Sequence, residues 1–176
     1  MNEEKKLCVI SSPVAGRSGY SSHSRDIIRS LIRIHPDWDI KLISTKWGNV
    51  PLDALTEKQD SDLISRLIFQ QLNKQPDIWI QITIPSEFQR VGKWNCGITA
   101  AIESNMCDPS WLEGAERMDL VITTSKHSRS TLVDVGFDKI DSNTKKKIGE
   151  IKLNKPVEIL FEGLETEIYR PIQWID

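Results

Sequence analysis

An α/β fold with a doubly wound parallel sheet is what this chain predicts, on three observations. Apolar runs of strand length alternate with amphipathic segments through the 176 residues. The run GITAAI, over 97–102, is continuously small and apolar, as a strand buried on both faces requires. Between the first apolar run and the first amphipathic segment lies SSPVAGRSG, a small-residue turn of the kind that opens a β-α unit.

The elements follow in order. The first strand covers 7–10, and the helix after it repeats Ile27, Ile28, Leu31, Ile32 and Ile34 at helical spacing. Ser21 or Ser22 is its expected N-cap, and His35-Pro36 stops it. WDIKLIS, over 38–44, is the second strand. Residues 45–59 hold Trp47, Gly48 and Pro51 and read as a surface loop. A second amphipathic helix is expected over 60–73, with Leu63, Ile64, Leu67, Ile68 and Leu72 inward. DIWIQITI, over 77–84, is a third strand closed by Pro85, and 97–102 is a fourth. A short helix over 110–117 follows Pro109, with Trp111, Leu112 and Ala115 on one side. The fifth strand is 120–124. Ser125 caps a helix through Val135 that Gly136 ends. Residues 138–155, with Lys145, Lys146 and Lys147 adjacent, read as a solvated loop, and 157–161 as the last strand. There are no internal repeats.

Composition narrows the function. With 39% hydrophobic and 27% charged residues and a net charge of −2, the chain has the composition of one globular domain. Near-neutral charge gives no reason to expect nucleic acid or an anionic membrane as the main partner. No apolar run approaches the roughly 20 residues of a membrane span. MNEEKK runs straight into the first strand, so no signal peptide is expected. Three cysteines, Cys8, Cys96 and Cys107, form an odd set without C-x-x-C, which fits a reduced, cytoplasmic chain; Cys8 reads as a small core residue.

Three loops carry the candidate chemistry. Gly16 and Gly19 flank Arg17 and Ser18, where a bare backbone lets a ligand approach and free helix-start amides attract anions. Ser21, Ser22 and His23 follow and could meet a phosphate or hydroxyl, although a histidine at a helix start is by default simply exposed. No G-x-x-x-x-G-K-[ST] occurs, which excludes a P-loop. The second strand ends in Ser44, Thr45 and Lys46, so no carboxylate is placed to hold a ribose, which disfavours a dinucleotide-dependent oxidoreductase. In the second loop, IESNMCDP, Glu103 directly follows a buried strand, where partial burial adjusts a carboxyl pKa for acid-base work; a capping carboxylate is the alternative. Asn105 suits a polyol or a turn. The third loop brings Ser125, His127 and Arg129, on what is otherwise an exposed helix face. His23, His35 and His127 are dispersed, so no metal is expected, and no G-x-S-x-G marks a hydrolase. If the strands are parallel, all three loops emerge at one carboxyl edge and line one cleft.

Three motifs, in this order, resemble the N-terminal half of a GT-B-fold retaining glycosyltransferase of the large "group 1" family. SGYSSHSRDIIRSL is similar to that family's glycine-rich loop and first helix. GITAAIESNMCDPSWLEGAERMDLVITTSKHSRSTLVDVGF is similar to its strand, acidic loop, P-x-W helix, strand ending in Ser, helix and Gly. VEILFEGLETEIYRP is similar to its V-x-V-x-P-N-G-V-D-x-x-x-F-x-P crossing, with Phe161 at the Pro and Glu162 at the Asn position. Lys126 and His127 stand where the family often has an acid and an aromatic.

The resemblance implies a Rossmann-like acceptor-side domain over 1–165, with 166–176 beginning the interdomain crossing and the donor-binding C-terminal domain absent. It also implies a nucleotide-sugar donor, an acceptor hydroxyl, transfer with retention and no metal or other cofactor. Glu103 is then the residue for the reacting sugars. Gly16, Gly19, Ser21, Ser22, His23, Asn105, Ser125 and His127 serve acceptor or donor phosphate. A non-catalytic binding or interaction module of the same fold is the alternative.

Overall fold

Residues 5–101, 104–164, 166–167 and 169–171 are described by a computed structural model of the chain. Strand β1 (Leu7–Ser12) is buried along its whole length, as its uninterrupted LCVISS requires. It leads through the small-residue turn into α1 (Gly19–Ile34) and back into β2 (Asp39–Ser44). Then come α2 (Glu57–Ile64), β3 (Ile78–Ile82), a 3-10 turn (Pro85–Glu87), β4 (Trp94–Thr99), α3 (Pro109–Ala115), β5 (Leu120–Thr123) and α4 (Lys126–Val133). A ribbon of β6 (Gly136–Ile140) and β7 (Lys147–Lys152) precedes β8 (Val157–Ile159).

Six strands form one parallel sheet in the order β2-β1-β3-β4-β5-β8, a Rossmann-like α/β arrangement. Period-2 alternation divides the core between its faces. Cys8, Ile10, Ile40, Leu42, Ile80, Ile82, Cys96 and Ile98 pack on one face with Ile28 of α1 and Leu63 of α2. Leu7, Val9 and Trp79 lie on the other, where Val121 meets Leu112, Ala115 and Leu132 from α3 and α4. Two glycines fix how closely that second face is packed. A Cβ on Gly97 would meet the buried Phe88 ring at 2.4 Å, and one on Gly114 would meet Pro85 O at 1.8 Å. Phe88 therefore lies flat on β4, and α3 rests on the backbone of the 3-10 turn.

The observed elements differ from the sequence expectation where local pattern and tertiary context disagree. Ser18, not Ser21 or Ser22, caps α1: its hydroxyl accepts from Ser21 N at 3.2 Å, which puts Gly19 inside the helix. The helix expected over 60–73 ends at Ile64, because Leu67 instead bridges Leu42 on the free side of β2. The fourth strand starts earlier, at Trp94, and stops at Thr99. Gly136 opens a strand rather than closing a helix, and 138–155 contains most of the antiparallel ribbon instead of a solvated loop. Phe137 and Ile151 stand opposite one another in that ribbon and pack against the second core, which is enough to order a lysine-rich segment.

Candidate functional site at the carboxyl edge

The sheet order makes β1 and β3 the topological switch point. The chain leaves β1 toward β2 on one side and leaves β3 toward β4 on the other, so a crevice opens beyond their carboxyl ends. The turn of residues 13–18 borders that crevice. Arg25 braces the turn from within α1, donating from Nη1 to Val14 O (2.9 Å) and Gly16 O (3.0 Å). A Cβ on Gly16 would meet Ser21 Oγ at 2.7 Å, and that hydroxyl is bonded to Ser18 Oγ at 2.8 Å. Gly16 and the buried Ser21 thus belong to the packing of the turn. Gly19 differs: a Cβ there meets nothing within 4 Å, so the start of α1 faces open space.

A single backbone position ties the three loops together. Beyond β4, Ala100 N donates to the Tyr20 hydroxyl at 3.2 Å, and that hydroxyl is bonded to Thr99 Oγ1 at 3.0 Å. Ala100 O accepts from Ser128 Oγ at 2.8 Å, while Ser128 N donates to the α4 cap Ser125 at 3.0 Å. The starts of α1 and α4 therefore both grip the end of β4. Burial, opposed by its bonds to Thr99 and Ala100, holds the Tyr20 hydroxyl above its ordinary pKa, and it stays protonated. The next residue, Ala101, has φ +63°, a left-handed conformation costly for a side-chain-bearing residue and frequent where a ligand loop must be aimed.

The structure gathers some of the expected residues and separates others. Gly16, Gly19, Ser21, Ser125 and Asn105 follow carboxyl ends of parallel strands, as the expected cleft requires. Ser22, Asn105 and His127 are exposed. Glu103 lies outside the described residues. His23 is not exposed, as a helix-start histidine is by default: it is 9% exposed, its Nδ1 is 3.8 Å from Glu162 Oε1, and it lines an apolar groove beside the sheet.

Sequence reasoning missed several contributors. Thr83, at the end of β3, donates to Glu87 Oε2 at 2.5 Å, which brings an exposed carboxylate to the switch point. Trp47 stacks on Tyr20 with ring centroids 4.3 Å apart. Ser12 Oγ, on a residue only 1% exposed, and Ser44 Oγ beside it in register have no protein hydrogen-bond partner. Only the strand order, invisible in the sequence, brings these groups together. Tyr20 at a helix start and Pro85-Ser86-Glu87 after a strand were the available signals.

Cys8 and Cys96 are buried thiols that burial pushes up to about 12, so neither is a nucleophile. Among the described residues no group of three or more His, Cys, Asp or Glu is placed to hold a metal ion. No helix among them is long and apolar enough to cross a membrane. What the edge offers is chemical but modest: helix-start amides, an aromatic pair and a carboxylate. Groups of these kinds can hydrogen-bond hydroxyls or an anion. No protein-family model matches the chain, and no curated protein matches it in sequence.

Proposed function

We propose that this chain is the acceptor-side half of a retaining glycosyltransferase, in which a sugar passes from a nucleotide-sugar to an acceptor hydroxyl. One observation carries the reading. The glycine turn, the loop after β4 and the start of α4, which carry the first two glycosyltransferase-like motifs, converge at one sheet edge through Ala100 and Tyr20. The open space at Gly19 supports close approach of a phosphate or sugar to the first turn of α1. Polar groups at the edge favour hydroxyl-rich ligands over apolar ones. In this reading Glu103 works on the reacting sugars, and Asn105, Ser125 and His127 contact acceptor or donor. Residues 166–176 lead toward a donor-binding domain.

Without that domain most diphosphate and base contacts cannot form. The 176-residue chain is therefore expected to bind nucleotide-sugars weakly or not at all and to transfer no sugar. Turnover by the purified chain with any common nucleotide-sugar would sink this division of labour. In an enzyme carrying both halves, Glu103→Gln should lower turnover more than acceptor binding. A change confined to stability, of about 1 kcal/mol, would make Glu103 a cap instead.

A further inference from the structure

We infer that this chain forms a two-fold dimer through the apolar groove beside α1. The groove follows from topology. The connections β3 to β4, β4 to β5 and β5 to β8 all step the same way across the sheet, and right-handed crossings send α3 and α4 to one face. The step from β1 to β2 goes the other way, so α1 covers only the β1–β3 part of the opposite face. Among the described residues no helix covers β4 and β5 there. A groove of about 470 Å³ remains, floored by Ile80, Ile98 and Ile122 and walled by Leu31 of α1. A parallel sheet ordinarily has both faces covered.

The rim of this groove supplies its own occupant. Large apolar side chains border it in exposed positions: Ile34 is 66% exposed, Phe161 67%, Trp94 41% and Leu160 45%. Leu164 and Tyr169, also exposed, continue the patch along α1. A fully exposed aromatic residue presents roughly 150–250 Å², so Trp94, Phe161 and Tyr169 alone offer on the order of 350 Å². With the aliphatic residues this approaches the about 800 Å² per partner of a standard interface.

An isologous interface needs projection and recess on one surface, because each copy presents both. Phe161 beside the groove is such a projection. The adjoining strip along α1 carries both charge signs, Asp26 and Glu167 with Arg33, so an antiparallel two-fold partner can set Arg33 against Asp26 or Glu167. The groove lies on a sheet face, apart from the sheet edge that carries Gly19 and Ala100.

Sedimentation velocity and light scattering of the 176-residue chain from about 1 to 200 μM test it. The expected mass is twice the 20.1 kDa of one chain at the upper concentrations. Phe161→Glu and Trp94→Lys, each at an exposed position, should each weaken dimerisation at least tenfold and leave far-UV circular dichroism unchanged. A monomer at every concentration overturns the inference, including one whose groove other polypeptide fills. So does a dimer that neither substitution weakens, or open-ended growth in place of a dimer.

Discussion

The two ends of the central sheet are built from similar polar residues and use them differently. At the amino edge polar groups bond one another. Asp77 accepts from Leu7 N (3.0 Å) and Lys93 Nζ (2.7 Å). The fully buried Asn95 accepts from Val91 N and Gly92 N, and its amide donates to Gly92 O and to Asp119. At the carboxyl edge, Ser12 and Ser44 keep unused hydroxyls, Ala101 sits in a left-handed conformation and the first residue of α1 is a glycine facing open space. Polar groups that satisfy one another stabilise the fold, whereas polar groups left over are available to something else. The amino edge is a clasp, and the carboxyl edge carries the proposed site.

Breaking the clasp should have the largest effect. Asn95→Ala leaves the amides of Val91 and Gly92 without their acceptor in a buried setting and removes one of the donors to Asp119. A loss of about 3 kcal/mol is expected in denaturant unfolding, with no change in ligand recognition at the far edge.

Asp119 sharpens the comparison through pH. Burial works against its ionisation, but hydrogen bonds from Asn95 and the charge of Arg90 outweigh it and hold the carboxyl below its ordinary value. A depressed carboxylate stabilises above its unfolded pKa of about 4, and that contribution is lost as pH falls through the folded value. Asp119→Asn should thus cost about 1–2 kcal/mol at pH 7, and the gap from the parent chain should close below about pH 4. A gap that does not shrink at all as pH falls from 7 into the acid range would assign the loss to packing.

At the carboxyl edge the pattern should reverse. Gly19→Leu adds a side chain into open space, so stability should change by no more than about 0.5 kcal/mol. Binding of a glycoside acceptor should fall at least tenfold. Gly16→Ala should instead be felt in stability, because its Cβ would displace Ser21 Oγ. The smallest effect is expected at Cys8 and Cys96, whose thiols burial raises to about 12: in the native protein neither should react measurably with iodoacetamide at pH 7.5.

Much of the fold was legible because buried parallel strands announce themselves by short apolar runs, as Leu7–Ile10 does. Three features were not. Leu63, Ile64, Leu67 and Ile68 fit a helix by spacing, yet Leu67 found a better partner in β2. The ribbon of β6 and β7 rests on Phe137 and Ile151, too few apolar residues to outvote its lysines. Four serines near the first glycines could each cap a helix, and only geometry chose Ser18. For the site, the loops were legible as strand ends. Tyr20, Thr83 and Glu87 were not, since their proximity depends on β3 lying beside β1.

The central claim, a carbohydrate site at the carboxyl edge, is tested most directly by titrating the 15N-labelled chain with simple glycosides at millimolar concentration. The account predicts fast-exchange shifts confined to the amides of Gly19, Tyr20, Ala100, Asn105, Ser125 and Lys126, with Lys93, Asn95 and Asp119 unmoved. Shifts centred on the amino edge, or none with any glycoside, would contradict it.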